Sequence, residues 1–317
     1  MVDVASLLRE ATPKTEDKIR CQACNADVDE GVDICPRCGE PARLVPLSKY
    51  GRKLPIGIIE TTPDGTKKLV KDFNVVKLDW KKEREVSSTW KEISKNAESS
   101  ILDYILCVLA CTVESIGGID FKKHSVERRM YILGEMYSGD VFYMYAYLRV
   151  MSIGPEFHFE NVRCPSCNNV IVDYPADLSS LEVVAQSEIE RITQTVTLRD
   201  GFRLGGEIRK KITLQPASFR VLAKAKFDDD AQFFSDVFQS TCVNIDGVDG
   251  GVLTEEEIEQ MSPYDLALVR SKNDWLAGGI DWSIDVVCPK CKSEFNRIID
   301  WRYGNFFSLS SRLRTMR

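Results

Sequence analysis

The sequence predicts an α+β fold with a mostly helical body, and three observations point to it. The composition is that of an ordinary globular protein, since 44% of the 317 residues are hydrophobic, 28% charged and 9% aromatic. These values exclude a wholly disordered or collagen-like chain. Segments with helical spacing of apolar residues are mixed with short alternating arms that are typical of strands. The same order of strand, helices and hairpin occurs twice, so we expect two similar units.

Cysteine spacing gives the strongest signal in the chain. Of eleven cysteines, eight form four Cys-x-x-Cys pairs: Cys21/Cys24, Cys35/Cys38, Cys164/Cys167 and Cys288/Cys291. The N-terminus lacks the basic start and apolar run of a secretory signal, so this spacing favours metal ligation over disulfides. Two such pairs complete a tetrahedral shell of four thiolates around one Zn²⁺. We therefore expect two Zn²⁺ per chain, although iron also fits sites made of four cysteines.

The first two pairs predict a compact zinc ribbon over residues 21–40. Ten residues separate Cys24 from Cys35, and four free structural cysteines are the alternative. The segment is acidic, with Asp27, Asp29, Glu30, Asp33 and Glu40 against the single base Arg37. Because this charge repels phosphate, the ribbon is expected to contact protein or to stabilise the chain rather than to read DNA.

The other two pairs lie far apart but have similar flanks, FHFENVRCPSCNNVIVDY and DWSIDVVCPKCKSEFNRIIDW. In each, alternating arms surround the cysteines, which predicts a β-hairpin with the pair at its tip. A redox Cys-Pro-x-Cys motif would instead open a helix after a strand. We expect the two hairpins to share one zinc.

The internal repeat rests on spacing more than on identity, so chance similarity is the alternative. Asp140 lies 24 residues before Cys164, and Asp265 lies 23 before Cys288. Both aspartates are predicted to be helix N-caps. The expected organisation is a polar tail (1–20), the ribbon (21–40), a linker (41–68), unit one (69–180), unit two (190–310) and a basic tail (311–317).

The most apolar stretch, Ile101 to Val113, is predicted to be a buried helix. It contains Asp103 and is too short to span a bilayer, which takes about 20 apolar residues. Cys107 and Cys111 lie four residues apart on it and are expected to face a core, where free cysteine behaves as a small hydrophobic residue.

No active site can be found in the sequence, so we expect a protein that is not an enzyme. There is no phosphate-binding loop, and His124 and His158 are the only histidines. Both predicted zinc shells are closed, leaving no coordination position for a reactive water. The net charge of −6 argues against nucleic acid as a partner, and no small-molecule substrate is expected. Lys81, Lys82 and Arg84 are interpreted as a solvated helix start.

A family resemblance completes the sequence picture. A Lys53-Leu54-Pro55 segment leads to NVVKLDWKKEREVSS (74–88); FHFENVRCPSC (157–167) and VVCPKC (286–291) follow, before Trp301 and Phe306-Phe307. This layout, over about 53–310, resembles the T-even-phage-type baseplate hub assembly chaperones of contractile tails and phage-tail-like injection systems. The N-terminal ribbon is a departure from that family.

The resemblance implies an assembly factor or component of the baseplate hub, with hub, spike or wedge proteins as partners. It implies a location in the cytoplasm of the producing or host cell, or retention in the finished baseplate. Four aromatic residues near the end are candidate partner anchors or else pack onto the body: Trp301, Tyr303, Phe306 and Phe307. Two alternatives are a zinc-ribbon factor of transcription or RNA processing and a thiol-redox enzyme. The basic run 209–211 favours the first of them.

Overall fold

The computed structural model describes residues 18–20, 26–29, 35–37, 45–62, 64–95, 100–185, 192–225, 230–248 and 253–299. The chain divides into two compact units, Met1–Val45 and Pro46–Arg317. In the first unit, strand β1 (Lys18–Arg20) pairs antiparallel with β2 (Asp27–Asp29). Cys35 is buried there, whereas Cys21, Cys24 and Cys38 lie outside the described residues. The zinc ribbon therefore stays a prediction.

The second unit is a mixture of helices and small antiparallel sheets, as the sequence predicts at the level of fold class. Its described helices are α1 (Leu47–Tyr50), α2 (Trp80–Ile93), α3 (Ile101–Thr112), α4 (Val126–Glu135), α5 (Ser138–Ile153), α6 (Phe219–Lys224), α7 (Asp230–Thr241), α8 (Glu255–Glu259) and α9 (Pro263–Ala277). The strands that follow β3 (Val45–Pro46) are β4 (Lys53–Thr61), β5 (Lys67–Val75), β6 (Val113–Ile116), β7 (Ile119–Asp120), β8 (Glu156–Arg163), β9 (Val170–Asp177), β10 (Glu182–Val184), β11 (Gln194–Leu204), β12 (Glu207–Leu214), β13 (Cys242–Ile245), β14 (Gly279–Ile280), β15 (Ser283–Val287) and β16 (Glu294–Ile298).

Strand β4 corrects the predicted linker over 41–68. It is the edge of a four-stranded sheet in the order β4-β5-β6-β7, and Leu54 and Ile56 on it are fully buried. The prolines and glycines of this segment suggested a linker. Pro55, however, lies where the register against β5 shifts, between Lys53 and Ile58. A bulge leaves a residue outside the hydrogen-bond ladder, so a proline there removes no ladder bond.

Helix α3 forms the centre of the larger core, which confirms the buried helix predicted from its composition. It packs against α2 and α4, and nearly all of its side chains are buried. Ser100 and Asp103 form a capping box at its start. At its end Lys82 donates to the Cys111 carbonyl and Arg129 to the Ala110 carbonyl, so cations occupy the negative end of the helix dipole. Among the described helices, none is long and apolar enough to span a membrane.

A second, smaller core lies under the sheet β11-β12-β13. Phe238 of α7 and Val269 of α9 are fully buried in it. The backbones of the two halves meet at the start of α5. A Cβ added to Gly139 would lie 2.1 Å from the carbonyl oxygen of Ala277 at the end of α9. Only glycine permits this close approach.

Asp140 is not a helix N-cap, contrary to the prediction. Tyr137 occupies the cap position of α5, and Asp140 lies in the first turn. Its fully buried carboxylate accepts hydrogen bonds from the backbone N–H groups of Ile56 and Gly57, at 2.7 and 2.9 Å, in the β4 bulge. Burial outweighs these bonds and the nearby charge of Lys71, and it raises the pKa of Asp140 to about 6.

Asp265 repeats this arrangement in the second half and is likewise not the N-cap. The Ser262 hydroxyl accepts from the Asp265 N–H. The Asp265 carboxylate accepts from the N–H groups of Arg199, Asp200 and Gly201 at 2.7–3.0 Å, where β11 also breaks register with β12. Burial raises the pKa of Asp265, but the three N–H groups and Ser262 outweigh it, and the net shift is downward. The predicted caps therefore join helices to strand bulges.

Candidate metal centre

The two distant Cys-x-x-Cys pairs meet at one point, as the sequence predicts. Their sulfur atoms all lie within 4.8 Å of one another. Across the two hairpins, the Cys164 and Cys291 Sγ atoms are 3.7 Å apart, and so are those of Cys167 and Cys288. These partners are separated by 127 and 121 residues in the chain. Within the described residues, this is the one cluster of this kind that could hold a metal ion.

Each pair sits in a knuckle at the tip of a two-stranded hairpin, β8-β9 or β15-β16. In the first, the Cys164 N–H donates to the Asn169 carbonyl, and the Asn168 N–H donates to the Cys164 carbonyl, both at 2.9 Å. Asn168 has a φ of +56°, in the left-handed region. This left-handed residue turns the chain back into β9 directly after the second cysteine.

The second knuckle has the same backbone pattern. The Cys288 N–H donates to the Ser293 carbonyl and the Lys292 N–H to the Cys288 carbonyl, again at 2.9 Å, and the φ of Lys292 is +61°. The hydroxyls of Ser166 and Ser293 lie 2.8 Å apart and connect the two tips. The hairpins therefore present their thiols to each other in matched geometry.

The sulfur spacing fits a tetrahedral metal site. With metal–sulfur bonds of about 2.3 Å, the edge of a tetrahedron is about 3.8 Å, and the measured cross-hairpin distances are 3.7 Å. A disulfide would need a separation of about 2.05 Å. The four thiols are therefore placed for one Zn²⁺ or iron ion, with the ligand set that such ions prefer.

Burial and electrostatics also suit a structural ion. Cys164 and Cys288 are fully buried, Cys167 is half-buried and Cys291 is exposed. N–H groups of Cys291 and Lys290 donate to the Cys288 sulfur and lower its pKa to about 6. The Asn169 N–H favours a lower pKa for the Cys167 thiol. Burial and the neighbouring thiols outweigh that hydrogen bond and raise the pKa of Cys167 to about 12. Thiols this close disfavour joint ionisation, so a bound cation is what allows four thiolates.

The structure describes only some of the remaining residues that the sequence singled out. Trp301, Tyr303, Phe306 and Phe307 lie outside the described residues, so their role as partner anchors stays a prediction. Cys107 and Cys111 are buried in the larger core, as predicted.

The interpretation of residues 81–84 as a solvated helix start is wrong for Lys82. Its ammonium bonds Glu85 at 2.8 Å and the Cys111 carbonyl at 2.9 Å. Sequence reasoning also missed Trp80, which is 74% exposed. Its apolar character suggests a core position, and no sequence signal indicates otherwise.

Residues 122–307 match the family model described as T4 bacteriophage base plate protein. The match covers more than half of the 317 residues. The chain belongs to this baseplate protein family. No curated protein and no solved structure matches it. The matched region contains both knuckle hairpins, so the candidate metal centre lies within it. Membership supports a structural or assembly role in a phage baseplate, with partners among baseplate proteins.

Proposed function

We propose that this protein is a non-enzymatic assembly chaperone or permanent component of the baseplate hub. In this role the second unit is a rigid platform, and the ribbon and the basic C-terminal segment are its further contacts to hub, spike or wedge proteins. The family match supports the baseplate role, and the resemblance of residues 53–310 to hub assembly chaperones supports the hub.

The observation that carries the proposal is the meeting of the two knuckles across more than 120 residues of chain. We propose that Zn²⁺ occupies this centre and that a second Zn²⁺ occupies the ribbon. A closed shell of four thiolates leaves no position for a substrate or a reactive water, so such a metal stabilises and does not catalyse. Zinc also has no redox chemistry, which suits a purely structural ion.

We further propose that the body consists of two copies of one unit, 69–180 and 190–310, with β4 completing the first. The two knuckles share hydrogen bonds and a left-handed residue at matching positions. Asp140 and Asp265 each join the first turn of a helix to a bulged strand. In this arrangement the zinc lies where the two copies meet, and it fixes their relative position.

The test uses the full chain and a variant that lacks the two more accessible ligands, Cys167→Ser with Cys291→Ser. Elemental analysis of anaerobically purified protein should give two zinc ions for the parent and about one for the variant. Baseplate assembly in cells that lack the wild-type gene should fail with the variant. Full assembly with the variant, after confirmed loss of the metal, would contradict the platform role.

An assembly chaperone leaves the finished baseplate, whereas a permanent component remains in it. Quantitative mass spectrometry of purified baseplates gives the number of copies per particle. A fixed, whole-number stoichiometry identifies a component, whereas absence from finished particles together with a need for the gene identifies a chaperone. Normal particles formed without the gene would refute both roles.

A further inference from the structure

The outward face of α2 combines an exposed tryptophan with positively charged side chains. Trp80 is the most exposed large hydrophobic side chain among the described residues, at 74%. Arg84, Ser88 and Lys91 follow it at helical spacing on the same face, and all are exposed. We call this set the Trp80 face.

Trp80 is exposed even though helix α2 packs against the core with its other face. The same helix carries a second tryptophan, Trp90, whose ring packs edge-on against Tyr104 with centroids 5.3 Å apart. Val86 on the inward side is buried. Helix α2 therefore buries one face and leaves Trp80 on the other, where its apolar ring contacts water at a free-energy cost.

The groove beside Trp80 is rich in positive charge, and the exposed acid Glu83, three residues from Trp80, is not among its lining residues. This open groove is lined by Lys81, Arg84 and Lys91, and none of the three forms an ion pair with any residue that the structure describes. The one acid in the groove, Glu85, is paired with Lys82 at 2.8 Å. Within the described residues, these three cations of the groove therefore have no ion-pair partner, although the net charge of the chain is −6.

We propose that the Trp80 face binds an acidic segment of another baseplate protein, one that carries an apolar residue flanked by carboxylates. The apolar residue covers the Trp80 ring, and the carboxylates meet Arg84 and Lys91, a combination of aromatic and arginine typical of interface hot spots. The inference rests on the proposed baseplate function, because it takes the partner from among the baseplate proteins.

Other occupants fit the charge less well. Nucleic acid binds mainly through its phosphates, and three cations on an acidic chain offer few phosphate contacts. The C-terminal segment of this chain carries Arg312, Arg314 and Arg317, so it has the same sign as the face and is repelled. An acidic protein segment matches both the charge and the apolar centre.

The first experiment measures binding of the full-length chain to each purified baseplate subunit of the same particle. Trp80→Ala should weaken binding to one subunit about 30-fold, the size expected of a hot-spot tryptophan. Arg84→Glu with Lys91→Glu should weaken it at least about 10-fold, and added salt should reduce the wild-type affinity. Matched controls are Ile298→Ala, which removes an equally exposed apolar side chain, and Lys67→Glu with Lys68→Glu, which reverses exposed charge elsewhere.

The outcomes separate the two proposals. If the wild-type chain binds a subunit and the variants bind equally well, the Trp80 face is refuted while the baseplate role stands. If the wild-type chain binds none of the subunits, the proposed function fails, and this inference fails with it. Thermal melting of each variant shows whether it is folded, since substitutions at exposed positions should leave Tm unchanged.

A second experiment identifies the occupant directly. A photo-reactive amino acid at Ser88, which is exposed in the groove, is activated in cells that are assembling baseplates, and the cross-linked peptide is sequenced. An acidic peptide of a baseplate subunit is the expected product. A neutral or basic peptide, a second copy of this chain, nucleic acid, or no product would each overturn the proposal.

Discussion

Loss of the proposed metal from the four-cysteine centre should remove a large part of the stability of the second unit. Cys167 and Cys288 are 121 residues apart, and cross-linking a loop of that length in the unfolded chain is worth about 5 kcal/mol in the chain-entropy model. Folded domains are stable by about 5–15 kcal/mol. Loss of this proposed centre should therefore lower Tm by roughly 10 °C in a unit of this size.

The perturbation is the double variant Cys167→Ser with Cys291→Ser, because these ligands are less buried than Cys164 and Cys288. Serine at a fully buried ligand position would add the cost of a buried hydroxyl to the loss of metal. Differential scanning calorimetry gives Tm, and elemental analysis on the same sample gives the metal content. Ser166→Ala, which changes the same knuckle without touching a ligand, is the matched control and should shift Tm by no more than a few degrees.

Two results would refute this reasoning. One is loss of one metal equivalent with no change in Tm, which would mean that the hairpins hold together without the ion. The other is full metal content in the double variant, which would place the metal elsewhere. A fall in Tm in the wild-type chain after chelation, reversed by added zinc, would distinguish loss of metal from damage by the substitutions.

Three further predictions concern the packing around the centre. Gly139→Ala should destabilise the protein by about 2 kcal/mol or more in urea unfolding, because its Cβ would overlap a backbone carbonyl; Gly118→Ala, whose Cβ has room, should be nearly neutral, and equal effects would contradict this. Asp140 has a raised pKa of about 6, so the folded state holds its proton more tightly than the unfolded state does, and the contribution of this group to stability should rise as pH falls from 7 to 5. Asp140→Asn should remove about 1 kcal/mol of that rise, and an unchanged pH profile would count against it. Ser100→Ala should cost about 1 kcal/mol through loss of the α3 cap; no measurable loss would show that the capping box contributes little.

Local sequence chemistry was enough to predict the elements whose signals are local. The spacing of the cysteines and the alternation around them predict two knuckle hairpins, and the apolar run from Ile101 predicts a buried helix. In each case the residues that carry the signal are neighbours in the chain, so tertiary context does not override it.

The errors occur where a residue acts at a distance. Pro55 looks like part of a linker, but it lies in a bulge of β4. The strand is recognisable only through its pairing with β5, which the local sequence does not show. Asp140 looks like a helix cap, yet its carboxylate bonds the backbone of Ile56, 84 residues earlier. Lys82 looks solvated, yet besides its neighbour Glu85 it bonds the Cys111 carbonyl, 29 residues later in the chain.

The sequence by itself determined the ligand type, the pairing of thiols within each knuckle and the apolar character of α3, because these depend on side-chain chemistry and short spacing. The sequence also predicted that the two knuckles share one site, and the tertiary structure gives their sulfur spacing of 3.7 Å. Tertiary structure alone decided that Gly139 lies against the end of α9 and that Trp80 faces water while Trp90 packs against Tyr104. The physical reason is that burial and long-range contact depend on how all the apolar faces pack together. No single segment of the chain contains the information on how these faces pack.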